Sequence, residues 1–238
     1  MTTQEVLTRF KTEFERIASQ AAPGYEPDEI STMLNIAMEN LIVNRYTGDN
    51  PLQQGFEQTE KRIEDLANLI EYKNYTTFTT GFLPNSYSVT LPNTLLANPQ
   101  DFSDVFWFII YENCLSSFLN CNTGQPERIL VKEVNHMELE DLLQDPFNKP
   151  EKDRWIFRNR TKNKVNLITD GNFQPVSYTV GYIRKPQPID LTVTSNNAIP
   201  DVSDEMQREV ITEAVFQAVK ALADNRVQIY KQDLQTIE

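Results

Sequence analysis

The sequence predicts an α+β fold with N-terminal helices, a central antiparallel strand-rich region and a long C-terminal packing helix. Three observations carry that reading. Apolar residues recur at helical spacing through the first third, the middle turns to threonine, aromatic and branched residues punctuated by glycine and proline, and helical spacing returns after Asp201. The corresponding regions are a helical stretch over 1–73, a strand-rich core over 74–200 with a short helix and an arm able to reach a neighbour, and a helix over 201–238 that packs on the same body.

Thr2 and Glu5 form a capping-box pair, and Val6, Leu7, Phe10, Phe14 and Ile17 make one stripe behind them. AAPGYEP ends that helix. Asp28 caps a second one, through Ile30, Leu34, Ala37, Met38, Leu41 and Ile42, which stops near Gly48. A third helix is predicted between Gln58 and Ile70, with Ile63, Leu66, Ala67 and Ile70 on one face.

TTFTTGFLPNSYSVTLPN then reads as short strands and turns, because ring-bearing and β-branched side chains suit a pleated surface. The run Val105 to Tyr111 predicts a strand covered on both faces. RILVKEV, at 128–134, is another strand and HMELEDLL, at 136–143, a short helix that DPFNKP interrupts. WIFRNR and KVNLIT predict a hairpin, Asp170-Gly171 a turn, and PVSYTVGYIRKP a strand with Val176, Tyr178, Val180 and Tyr182 at period two. In the last helix Asp201 or Ser203 caps, and Ile211, Ala214, Val215, Ala218, Val219 and Leu222 form the stripe, extending towards Tyr230.

Net charge is −12, from 34 acids and 22 bases. Binding nucleic acid over a large surface requires phosphate neutralisation, so that class is disfavoured. The longest compact apolar run is far below membrane-spanning length, and MTTQEVLTRFKTEFERI lacks the basic opening and apolar block of an export signal. Cys114 and Cys121 stand too far apart for a CxxC metal or redox pattern, and both read as free thiols. His136 is the only histidine, which removes multi-histidine metal sites, and its place before an acidic helix predicts helix-start hydrogen bonding. Acidic clusters such as Glu138/Glu140/Asp141 and Asp204/Glu205/Glu209 read as solvated helix faces. No phosphate-loop, dinucleotide, HExxH or GxSxG pattern is present, so no catalytic residue, cofactor or metal ligand is assigned.

One region departs from the acidic background. Residues 151–200 hold eight bases and four acids, with Lys152, Arg154, Arg158, Arg160, Lys162 and Lys164 close together. If Trp155, Phe157, Val165 and Leu167 enter the core, alternation turns several of these cations to the other side of the strands. Arginine favours two-pronged carboxylate contacts, so Arg154, Arg158, Arg160, Arg184 and Lys185 are the candidate protein-interface residues. A solvated sheet face and a DNA-facing patch are the competing readings of the same charges.

The segments HMEL, DPFNKP, WIFRN, VNLIT, YTVGYIRKPQPIDL and REVITEAVFQAVKAL, taken in order, resemble the C-terminal half of structural proteins from crAss-like tailed bacteriophages. GFEQTEKRIEDLANLI and FTTGFLPNSYSVTLP resemble their upstream region. DPFNKP carries Lys149 where the group's form has glycine. The resemblance implies a non-enzymatic virion protein at the portal vertex, synthesised in the host cytoplasm: a head-to-tail connector ring in the neck, docked to the portal and adjacent neck or tail rings. It implies a homo-oligomer, twelvefold where it matches a portal, through which double-stranded DNA passes transiently without sequence-specific binding. Two other functions are weighed: a distal tail or receptor-binding module using Tyr75, Phe78, Phe82 and Tyr87, and a carboxylate-dependent hydrolase.

Overall fold

A computed structural model describes residues 1–17, 24–48, 60–98, 101–118, 125–151 and 153–221. Helix α1 spans Thr3–Ile17. Its expected capping box forms: the Glu5 amide donates to Thr2 Oγ1 at 3.2 Å and the Thr2 amide to Glu5 Oε2 at 2.8 Å. Val6, Phe10, Phe14 and Ile17 are buried along one side. Helix α2 spans Pro27–Thr47 and begins two residues earlier than the Asp28 cap predicts. Glu26 is its cap, in a box with Glu29, and Pro27 fills the first helical position, where a missing N–H costs nothing. Gly48 closes it at φ 76°.

The third helix is shorter than its apolar spacing predicts. Helix α3 spans Glu60–Leu66, a 3₁₀ turn follows over Ala67–Leu69, and Ile70 opens a strand. The last helix, α5, spans Asp204–Ala221, and the Met206 amide donates to Ser203 Oγ at 3.2 Å, which makes Ser203 the cap. Asp201 instead accepts the Gln187 amide at 2.6 Å. The expected extension towards Tyr230 and the residues Cys121 and Lys152 lie outside the described residues.

The chain forms two compact units, one from residues up to Leu69 with those from Pro186 onward, the other from Ile70–Lys185. In the helical unit α5 packs against α1 and α2 with Met206, Val210, Ile211, Ala214, Val215, Ala218 and Val219. The segment leading into α5 is tied to the same helices. Ile189 exchanges two hydrogen bonds with the Asn35 side chain, Leu191 donates to Ser31 Oγ, and Ser195 donates to Thr3 Oγ1.

The strand unit is one eight-stranded sheet: β1 Ile70–Tyr75, β2 Thr79–Thr80, β3 Ser86–Thr90, β4 Phe106–Phe118, β5 Glu127–Glu133, β6 Trp155–Thr161, β7 Lys164–Ile168 and β8 Phe173–Arg184, with α4, Leu139–Gln144, between β5 and β6. Their order across the sheet is β1-β8-β4-β5-β6-β7-β3-β2, and every pairing is antiparallel except β5 with β6. The expected hairpin of β6 and β7 turns at Lys162, whose φ is 55°. β5 changes partner midway: Glu127–Ile129 pair with β4, and Leu130–Glu133 pair with β6.

One core cluster includes Cys114 of β4, Ile156 of β6, Val165 and Leu167 of β7, and Tyr178, Val180 and Tyr182 of β8. On the other side of β6, Phe157 and Ile168 pack with Val134 and Leu139 under α4, with Trp155 against them. β1 and β2 are the outermost strands. β2 is two residues long, and on β1 Lys73 opposes Val180 and is ion-paired with Asp104.

Candidate protein interface

β6 sets the geometry of the basic block. Both its faces are covered, by the main core cluster and by the α4 layer, so alternation does not bring its cations out together. The five candidate residues therefore separate into three places.

Arg158 is buried, at 5% exposure. Its Nε lies 3.1 Å from Glu112 Oε1 without an aligned N–H, so that contact is charge pairing, while Nη2 meets Glu133 Oε2 at 2.8 Å. Tyr178 donates its hydroxyl to the same Glu112 oxygen. Burial pushes the Glu112 carboxyl above its ordinary range, opposed by the Arg158 charge and the Tyr178 bond. Cys114 lies in the same interior, and burial, with the Glu112 charge, raises its thiol to about 12. That thiol is held as the inert protonated form.

Arg160, Arg184 and Lys185 collect around two phenylalanines. The Arg160 guanidinium carbon lies 4.4 Å from the Phe106 ring centre, and Arg184 is the β8 partner of Phe106. Lys185 has its ammonium 5.9 Å from the Phe102 ring centre and donates its amide to the Val105 carbonyl at 2.7 Å. Cations over aromatic faces keep an apolar side and a charged rim in one place. Arg160 is exposed; Arg184 and Lys185 are half-buried.

Arg154 stands at the other end of β6. It donates to the Phe147 carbonyl at 2.9 Å and lies 3.4 Å from the exposed Glu151 carboxylate. The hub of that region is Trp155, which the sequence marked only as a core residue. Its indole N–H donates to the Asn148 carbonyl at 3.1 Å, and Lys132 sits 4.7 Å from its ring centre.

Several other expectations find their places. His136 does not serve the start of α4: its Nε2 lies 3.0 Å from the Arg160 carbonyl, bridging the loop before α4 to β6. Lys149 needs no glycine, because among the described residues only Asn85 and Lys162 are non-glycine positions of positive φ. Of the four aromatics weighed for receptor contact, Tyr75, Phe78 and Tyr87 pack against the core and Phe82 is exposed. Among the described residues no group of histidines, cysteines and acids could hold a metal, and no helix is long and apolar enough to cross a membrane.

Sequence reasoning missed a second ionic centre, in the helical unit. Arg45 of α2, buried at 6% exposure, pairs with Asp65 of α3 at 3.4 Å and with Glu209 of α5. Burial raises the Asp65 carboxyl, which also accepts the Ser203 hydroxyl at 3.0 Å. The signal was available, since an arginine falling on the apolar face of α2 must bring carboxylates with it.

A family model described as phage tail ring protein 3/4 matches residues 1–233. Ring protein 3 of Bacteroides phage crAss001 is 31% identical over 205 residues, which covers 82% of this chain and 83% of that protein. Ring protein 4/5 of the same phage is 25% identical over 246 aligned positions, covering 99% and 96%.

Proposed function

The chain belongs to the phage tail ring protein 3/4 family, and from that premise we propose that it forms a connector ring at the portal vertex which docks on a neighbouring ring through Arg160, Arg184 and Lys185. Family membership makes it a structural, non-enzymatic ring protein of a tailed phage, as the absent catalytic motifs led one to expect. The ring level, its twelvefold count and its route for DNA belong to the proposal.

The observation that carries the docking role is the cluster around Phe106 and Phe102. Arg160 and Lys185 each lie over a phenylalanine ring, and Arg184 is the strand partner of Phe106, on a chain of net charge −12. Half-buried phenylalanines beside cations suit a protein partner bearing carboxylates, because apolar surface excludes water beside the charges and each arginine offers a directional fork. A lumen lined by the remaining acidic surface would repel phosphate, so DNA would pass without the salt-sensitive attachment that a cationic track creates.

The test is a structure of the assembled particle together with the variant Arg160→Glu/Arg184→Glu/Lys185→Glu. We expect the three side chains against another protein, and a variant that folds and melts as the parent does but fails to dock on the portal or adjacent ring. Side chains that point into the DNA channel, with no protein in contact, would overturn the docking role and leave the ring intact. Location at the distal tail would support receptor contact instead.

A further inference from the structure

Two surfaces outside the Phe106 cluster expose apolar side chains beside charges of opposite sign. The first surrounds Trp155 in the strand unit. Leu130, its partner on β5, is 72% exposed, and Phe147 is 79% exposed. Arg128 lies on the same face of β5, two residues from Leu130, while Lys132 and Arg154 both approach the Trp155 ring, at 4.7 and 5.9 Å. Glu151 is the carboxylate held there, on Arg154. Leu130 thus stands between Arg128 and Lys132 on one face of β5, while the turn that bears Phe147 holds the Asp145 carboxylate against its own amides.

The second surface is the outer side of α2. Ile30, Leu34, Ala37, Met38, Ile42 and Arg45 are buried and define its inner side. At 100° per residue, Ile36 and Val43 fall opposite them, with Glu29, Thr32 and Glu39 alongside. Ile36 is 49% exposed and Val43 half-buried. A surface helix of a closed body carries polar residues there. Here the outer side carries two apolar side chains flanked by the carboxylates of Glu39 and of Glu29, which also accepts the Glu26 amide, opposite in sign to the Arg128 and Lys132 that flank Leu130.

We propose that the outer side of α2 in one copy docks on the Trp155 patch of the next copy, and that this is the lateral contact of the ring. The inference rests on the ring reading above. A cyclic ring of more than two identical subunits needs two different, mutually complementary patches on each subunit. These two surfaces supply an apolar centre and opposite charges at the rim, the composition of a protein–protein interface. The docking cluster around Phe106 stays available for the axial partner.

The contact is tested by mixing one-sided variants. Ile36→Asp spoils the α2 side and Leu130→Asp the Trp155 side; both positions are exposed, and melting curves check that each variant is folded. Under conditions where the unaltered chain forms rings, alone or with the adjacent ring present, each variant alone is expected to remain monomeric. An equimolar mixture is expected to give a one-to-one dimer and nothing larger, because only one good interface can form between them. Native mass spectrometry reads all three. Rings formed by either variant, or a ring from the mixture, would overturn this contact while sparing the ring reading. An unaltered chain that stays monomeric even with the adjacent ring overturns both. Should either variant fail to fold, Lys132→Glu and Glu39→Lys replace them: each alone is expected to weaken assembly at least tenfold, and the double variant to recover it. Failure of that recovery overturns the contact.

Discussion

Removing the Arg158 guanidinium leaves Glu112 in an interior with no cation opposite it. Breaking one side of a buried ion pair costs about 3–5 kcal/mol, far more than the pair contributes when intact, because the remaining charge is stranded out of water. Arg158→Ala is therefore expected to lower the unfolding free energy by about that much in urea titration. Arg154→Ala, at an exposed pair, is expected to cost less than about 1 kcal/mol. Glu112 also predicts a pH dependence. Its carboxyl holds its proton more tightly when folded than at its ordinary value of 4.5, so its contribution to stability is full below that value and is lost as pH rises through the folded value. Glu112→Gln abolishes this loss: between about pH 4 and pH 7 the melting temperature of the variant is expected to fall less than that of the parent. Equal changes in the two proteins would show that burial of this carboxyl is not linked to folding.

Among the elements, α2 is held by a charge clamp and the β1–β8–β4 surface by a close approach. Arg45 joins α2 to α3 and α5 through Asp65 and Glu209, and Arg45→Met strands both acids; denaturation is expected to show a loss of about 3–5 kcal/mol. At Gly181 an added Cβ would lie 2.7 Å from Tyr72 Cε1 and 3.0 Å from Tyr111 Cβ. The Tyr72 ring is exposed and can swing, but Tyr111 Cβ is fixed to its strand. Gly181→Ala is therefore expected to cost about 1–3 kcal/mol and to separate the two tyrosine rings, whose centres lie 6.2 Å apart. Element types were largely legible in the sequence. Thr2 with Glu5 located α1, and the alternation Val176, Tyr178, Val180 located β8. The start of α2 was misplaced because Asp28 is the better capping residue by type, whereas Pro27 and Glu29 mark Glu26 by position. β1 escaped because Ile63, Leu66, Ala67 and Ile70 keep helical spacing across a boundary that pairing with β8 imposes from outside the segment. The site was legible as charge and not as place: alternation assumes one open face, and β6 has none.

For the whole molecule, charge sets the behaviour towards DNA and partners. At net charge −12, and with its clustered cations assigned by our proposal to a protein partner, the chain is expected to give no retardation of linear double-stranded DNA at about 0.15 M salt. A shifted band abolished by Arg160→Glu/Arg184→Glu would show that those cations face nucleic acid. Docking between rings is expected to weaken as salt rises, while unfolding of the isolated chain changes little, since Arg45 and Arg158 are screened by burial rather than by ions. The outer strands carry a last consequence. An unpaired strand edge recruits any passing chain, and a protein made in many copies before its particle exists is exposed to that hazard for as long as it waits. Two-residue β2 offers little backbone to copy, and Lys73 on β1 sets a charge on the face that an added strand would have to continue as apolar. The edges thus act as gatekeepers against fibre growth, and Lys73→Val is expected to yield thioflavin-positive aggregates where the parent stays clear.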